Sequence, residues 1–319
     1  MSEKWTADDI PDQSGRTALV TGANSGLGLQ TTKALAGAGA TVLMACRNAE
    51  KARSAREAIV RDNPAAAVEV VALDLGDLAS VERAAGEVAA REDDLDLLVN
   101  NAGVMAPPRR QTVDGFELQL GTNHLGHFAL TGRLLEKLLA ARAPRVVTVS
   151  SVAHRQGKMD FEDLNWERSY SRWPAYGRSK LANLLFTAEL SRRAAAADSE
   201  LIAAAAHPGY ASTGLQTAGP GMGPLGVIAK PFMKVGNLLL AQSDANGALP
   251  SLYAATAPDV AGSEYFGPDG IAESRGHPHR VGRSGRASDP ADAKRLWEAS
   301  VKLTGVSYNA LDRGAAKGA

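Results

Sequence analysis

The sequence is short of three things, each of which would have pointed to a class of function. It holds a single cysteine, Cys46. Neither an internal disulfide framework nor a cysteine-rich metal site can be built from it, and a reducing, cytoplasmic setting is expected. It has no excess of one charge: 35 Lys+Arg face 35 Asp+Glu, which leaves no field to hold nucleic acid or an anionic surface. It also has no run of about eighteen apolar residues, so no transmembrane segment is expected. The start "MSEKWTADDIPDQSGRTALV" lacks a basic end followed by an apolar stretch, so no leader is expected either. No repeat period is visible.

What the chain does have is alternation. "RTALVTG", "TVLMAC", "AVEVVALD", "DLDLLVNNAG", "RVVTVSS" and "ELIAAAAHPG" are short apolar runs. Between them lie amphipathic stretches: a helix from about Ser25, "EKARSAREAIV", "LASVERAAGEVAARE", a long helix near 114–142, and "SRWPAYGRSKLANLLFTAEL". Continuous apolar strands alternating with helices mean a parallel sheet covered on both faces. The expected fold is α/β, a single-domain Rossmann-type doubly wound parallel sheet of about seven strands. Residues 1–15 read as an N-terminal extension and 268–319 as a C-terminal loop and helix, the helix near 290–303.

The strand endings carry the information, because ligands of open α/β sheets bind beyond the carboxyl ends of the strands. They are Thr21-Gly22, Cys46-Arg47, Asp74-Leu75, Asn100 to Gly103, Ser150-Ser151 and His207-Pro208-Gly209. "TGANSGLG" follows the first strand with the spacing G-x-x-x-G-x-G. Gly22, Gly26 and Gly28 permit a tight turn and close approach to a pyrophosphate, and the helix start supplies amides. Asn24, Ser25 and Leu27 share that loop. The second strand ends in Arg47, with no carboxylate before Glu50. An arginine there suits a 2′-phosphate, so NADP(H) is expected over NAD(H). Asp74, with Leu75 beside it, would lie near the adenine. Pro208 fixes a backbone angle, Gly209 admits close approach and Thr213 offers a hydroxyl.

Tyr176 stands four residues before Lys180, one helical turn away on the same face. A free tyrosine has a pKa of about 10, and a neighbouring ammonium is expected to lower it. Taken alone, such a pair is equally the polar rim of a helix.

"TGANSGLG", "NNAG", "TNHLGHF", "VVTVSSVAH", "YGRSK" and "HPGYAST" together resemble the motif set of the short-chain dehydrogenase/reductase superfamily. "YSRWPAYGRSKLANLLFTAELSRR" is similar to its branch of retinol dehydrogenases, WW-domain oxidoreductase and protochlorophyllide reductases. The resemblance implies hydride transfer between a nicotinamide and an alcohol or carbonyl carbon. It implies Tyr176 as general acid/base, Ser151 as holder of the substrate oxygen, Lys180 on the nicotinamide ribose, and Asn123 organising a water that links Lys180 to solvent. It places Asn101, Ala102 and Gly103 at the ribose wall, and Pro208, Gly209 and Thr213 on the nicotinamide side. Family members commonly pair through the long helices after the fourth and fifth strands, so a homo-oligomer is expected.

One departure bears on substrate. Ser151 and Tyr176 lie 25 positions apart, against about a dozen in typical members, as in the retinol dehydrogenase branch. An insertion, 152–174, must therefore loop out and return. Its Phe161, Trp166, Tyr170 and Trp173 either line the substrate or pin the loop. A second specificity element is expected at 210–242, a lid with glycine-proline hinges. Both favour an apolar aldehyde, ketone or alcohol, retinoid- or steroid-like, and leave peripheral membrane contact open. The N-terminal anchor of membrane-bound retinol dehydrogenases is not found at this start, which counts against a retinoid. The only cysteine sits at the cofactor edge, which counts against protochlorophyllide. His124 with His127, and His277 with His279, lack a third metal ligand of suitable spacing. The arginines of 275–286 read as a solvated loop rather than a nucleic-acid patch. The alternative function is a dinucleotide-binding redox sensor or scaffold with little turnover.

Overall fold

A computed structural model describes residues 4–209 and 243–315. The expected lid at 210–242, with Thr213 in it, lies outside the described residues. The first half runs β1 (Thr17–Thr21), α1 (Gly26–Gly37), β2 (Thr41–Cys46), α2 (Ala49–Asp62), β3 (Val68–Ala72), α3 (Leu78–Ala89) and β4 (Leu97–Asn100). Then comes α4, a composite: Leu118–Leu120, a π-type turn Gly121–Leu125, Gly126–Arg133 and, past a break at Leu134, Leu135–Ala140. The second half runs β5 (Arg145–Val149), α5 (Arg172–Ala196), β6 (Ile202–Ala206), α6 (Asp244–Thr256), β7 (Tyr265–Pro268), β8 (Pro278–Arg280), α7 (Pro290–Thr304) and α8 (Asn309–Ala315).

The eight strands form one sheet in the order β3-β2-β1-β4-β5-β6-β7-β8. All neighbours are parallel except β7 and β8. The order reverses between β1 and β4, so the crevice that such sheets use for ligands opens beside Thr21 and Asn100. The apolar strands follow from two buried faces. Leu19 of β1 packs with Leu43, Leu98, Val146 and Phe128 on one side, while Ala18 and Val20 pack with Leu35, Val42, Met44 and Val99 on the other.

The C-terminal helices close the first of these faces. Trp297 of α7 and Tyr308, just before α8, pack with Phe128 and Phe186. Ring centroids are 5.1 Å apart for Phe128 with Trp297 and 4.4 Å for Trp297 with Tyr308. The Tyr308 hydroxyl donates to the Phe128 carbonyl at 2.7 Å, and His124 Nε2 meets Ser300 Oγ at 2.8 Å. Residues 175–187 of α5 are buried without interruption, packed by these helices, by β5 and β6 and by the turn after Ser151. Part of the surface of α5 is thus covered by this chain's own α7 and α8.

The tail read as a solvated loop departs from expectation. It contains β8, in which Arg280 opposes Phe266 and ties to Glu264 at 2.6 Å and to Asp259 at 3.0 Å. A three-residue strand beginning with proline carries no alternation to read, so only the free edge of β7 reveals it. Among the described residues no helix is long and apolar enough to cross a membrane.

Candidate active site

The glycine loop is built as its spacing demands. Gly22 and Gly26 have φ of 69° and 53°, the left-handed region that suits glycine. A Cβ on Gly28 would collide with the Gly22 carbonyl and stand 2.6 Å from Asn101 Nδ2. Ser25, the residue before α1, makes no side-chain cap, so the amides of the first turn remain available to an anion. The Gly28→Ala variant is expected to weaken dinucleotide binding roughly 10-fold or more, in line with the ~1–3 kcal/mol cost of overpacking. Fluorescence titration with NADPH checks this, and unchanged affinity would mean that the loop is no cradle.

A hub at the switch point holds this loop to the next. The buried Thr21 hydroxyl accepts the backbone N–H of Asn101 and of Ala102, both at 2.9 Å, and lies 2.9 Å from His127 Nε2. His127 Nδ1 faces the Asn123 carbonyl at 3.0 Å and must donate there. Nε2 therefore carries the lone pair that receives the Thr21 proton. Burial pushes the imidazole down to about 4, which keeps it neutral. Asn101 Nδ2 donates to the Thr21 carbonyl at 2.8 Å. Nothing in the sequence marks Thr21 and His127 as partners, because they lie 106 positions apart and only the folded sheet brings them together.

Around that hub the remaining candidates fall into place. Arg47 is exposed at the end of β2 and has no ion pair among the described residues. Asp74 is partly buried and caps its own turn, accepting from Gly76 N at 2.9 Å. Leu75 sends its side chain into the core, and its carbonyl would meet any Cβ on Gly126, so only its backbone is left for a ligand. Gly103 lies under Asn123 and Lys180: a Cβ there would be 3.0 Å from Asn123 Oδ1 and 3.6 Å from Lys180 Nζ. Gly209 has φ 66° and packs under the carbonyl of Glu273, 2.9 Å from where its Cβ would be.

Tyr176 and Lys180 are both buried in α5, and Ser151 is half-buried at the end of β5. The Ser151 hydroxyl faces the Tyr176 phenol closely enough to favour its ionised form. Lys180 Nζ donates to the Val149 carbonyl at 2.9 Å and lies 5.8 Å from the centre of the Tyr176 ring. Ser150 faces away, donating to the Lys180 carbonyl at 2.8 Å. Asn123 sits in the π-type turn, its amide holding Val104 N and O at 2.7 and 3.0 Å and Ser179 Oγ at 2.9 Å. The expected lowering of the tyrosine is reversed. Burial pushes Tyr176 up to about 12 against the opposing Ser151 hydroxyl, and the same burial pushes Lys180 down to about 8.

The insertion resolves the two roles left open for its aromatics. Trp166 lies under the Arg178 guanidinium at 4.0 Å, and Tyr170 donates to the Pro107 carbonyl at 2.9 Å. Phe161 carries Arg295 at 4.4 Å. These three are anchors. Trp173 differs: it is 52% exposed, and its ring meets Tyr176 edge-on at 6.2 Å.

Comparison with known proteins agrees with this geometry. The model of the short chain dehydrogenase family matches residues 16–220. The chain belongs to the short chain dehydrogenase family. It is 41% identical to human retinol dehydrogenase 13 over 299 residues, 92% of this chain and 85% of that protein. It is 40% identical to human retinol dehydrogenase 12, again over 92% of this chain and 88% of that protein. Among solved structures, one of an uncharacterized protein from Mycobacterium paratuberculosis superposes with a TM-score of 0.78. The two share 47% identity, and the match covers 96% of this chain and 99% of that one. A structure described as an NAD(P) dependent gluconate 5-dehydrogenase from Beutenbergia cavernae, with NADP bound, superposes with a TM-score of 0.59. It is 25% identical and covers 76% of this chain and 90% of that one. Membership in this family makes an oxidoreductase that uses a nicotinamide dinucleotide.

Proposed function

We propose that this dehydrogenase is NADP(H)-dependent and interconverts an apolar aldehyde or ketone with its alcohol, Tyr176 serving as general acid/base. The observation that carries the reading is the convergence of the Tyr176 phenol, the Ser151 hydroxyl that faces it and the buried Lys180 ammonium. The residues fit the cofactor: an uncapped helix start, a glycine cradle that a Cβ would fill, and an exposed arginine at the end of the next strand. When bound, the nicotinamide gives or takes the hydride. Ser151 holds the substrate oxygen, and Tyr176 delivers a proton to it as negative charge develops. Burial keeps the phenol protonated and ready to donate. Lys180, charged below about 8, steadies the phenolate left behind and binds ribose hydroxyls. Asn123 organises the water that links Lys180 to solvent and replenishes the proton.

The apolar substrate is supported by what is exposed. Four large hydrophobic side chains are exposed among the described residues, and one of them, Trp173, lies against Tyr176. Val152, also exposed, directly follows Ser151 in the chain. Calorimetry tests the cofactor: NADPH is expected to bind about 10-fold or more tighter than NADH, as a charge-assisted bond of ~1.5–3 kcal/mol implies, and Arg47→Ala to erase the difference. Equal affinity, or tighter NADH, would overturn the preference.

A further inference from the structure

Residues 273 to 286 form a polar, partly exposed brace against the turns that follow β5 and β6. Glu273 stands at its centre. One carboxylate oxygen accepts from Arg155 Nη2 at 2.6 Å, four residues after Ser151. The other lies 3.0 Å from His207 Nε2, at an angle short of a well-directed hydrogen bond, and makes no other bond. His207 is wholly buried, and its Nδ1 accepts the Gly209 N–H at 3.2 Å, so its proton sits on Nε2, toward the carboxylate. The fit is close. A Cβ on Gly267 would collide with the His207 ring, and Ala272 and Glu273 hold the left-handed backbone at φ 52° and 55°, a strained conformation for residues other than glycine. Two further bonds from the same segment reach the serine's turn. Ser284 N donates to His154 Nε2 at 3.2 Å, and His154 Nδ1 in turn holds the Ser151 carbonyl at 2.8 Å. Arg286 Nη1 donates to the Gly157 carbonyl at 3.0 Å.

Two loops are thereby yoked by one carboxylate: the turn that carries Ser151 and the His207 to Gly209 turn at the next strand end. We propose that Glu273 is a positioning residue, holding the Ser151 hydroxyl and the nicotinamide-side turn in fixed register. The proposal rests on the dinucleotide reading of the site. Glu273 touches neither substrate nor cofactor in this account. It acts through Arg155 and His207, and a shift of about 1 Å in such a frame costs on the order of 10²-fold in rate.

The test compares Glu273→Ala and Glu273→Gln with the wild type in three measurements: thermal midpoint, turnover, and affinity for two probes. The probes are NADPH and adenosine 2′,5′-bisphosphate, a fragment without the nicotinamide half. Glu273→Ala is expected to lose about 10-fold in NADPH affinity and about 10²-fold in kcat, with the fragment bound as in the wild type. Glu273→Gln, which keeps the shape and loses the charge, is expected to move the same way by a smaller factor. If the fragment weakens as much as NADPH, the role is general folding and the proposal fails. It also fails if NADPH affinity is unchanged in both variants. The binding arm decides the matter even when no carbonyl is turned over, so the catalytic reading can fall separately. A wild type that binds neither probe ends both.

Discussion

Replacing Tyr176 with phenylalanine is expected to reduce turnover of any carbonyl substrate by about 10³-fold, inside the 10²–10⁴ range that a positioned acid contributes. Dinucleotide affinity and the fold should be retained. The ring stays where it is, buried against Trp173, and only the hydroxyl leaves. That hydroxyl faces Ser151, and the serine side chain still accepts from Ala153 N at 3.2 Å after the change. No buried partner is abandoned, which separates this substitution from one that fails by misfolding. Steady-state oxidation of NADPH over a panel of aldehydes and ketones, with calorimetry for binding, makes the measurement. Activity within about three-fold of the wild type would remove the acid/base role from Tyr176 and leave the dinucleotide site as a binding device.

The physical reason for assigning the proton to this tyrosine changed between sequence and structure. Spacing shows that Tyr176 and Lys180 share a face, and it invites the inference that the ammonium draws the phenol downward. Spacing is silent on burial, which here raises the phenol to about 12 and lowers the amine to about 8. A buried phenol at that value is protonated at neutral pH, which is the form that reduction consumes. Oxidation requires the phenolate and therefore leans on the lysine keeping its charge.

Much of the scaffold was legible because its signals are local. β1 through β6 announce themselves as apolar runs, and the loop after β1 as glycines. What was not legible depends on distant partners or on segments without periodicity. α6 carries Gly247 and Pro250 within 13 residues, which breaks the pattern of a helix, yet it lies along α1 and is held there by packing. β7 and β8 are four and three residues long and contain Gly267, Pro268 and Pro278. The polar supports of the site are the same kind of case. Thr21 with His127 and Glu273 with His207 each join residues far apart in sequence, and the role of each arises only when the strand ends are set side by side. Aromatic residues in the insertion could be named but not sorted, because pinning and lining call for the same side chains. Only the cation stacked on Trp166 and the exposed face of Trp173 tell them apart.

The largest effect on stability is expected at Lys180, and it has the opposite sign to the effect on activity. The amine is 4% exposed, and no carboxylate accompanies it. Its value falls from 10.5 to about 8 through burial alone. Between those two values the unfolded chain binds the more protons, so wild-type stability rises with pH across that window, and the penalty is present in full below about 8. At about 1.4 kcal/mol per unit the cost of keeping the ammonium buried at pH 7 is on the order of 3 kcal/mol. Lys180→Met removes the charge and nearly preserves the volume. It forfeits the bond to Val149 O, worth about 1 kcal/mol, but Asn183 Nδ2 still donates to that carbonyl at 3.0 Å. The variant should therefore be more stable than the wild type by about 2 kcal/mol at pH 7, with the advantage vanishing near pH 10 as the wild-type amine gives up its proton. Turnover should fall by about 10²-fold or more, because the group that steadies the phenolate is gone. Urea unfolding of both proteins at the two pH values reads the difference directly. A variant no more stable at pH 7, or a gap that does not close as pH rises, would show that the lysine is not held charged at a cost. Stability given up at one residue for the sake of its charge is the expected mark of a functional amine in a dry site.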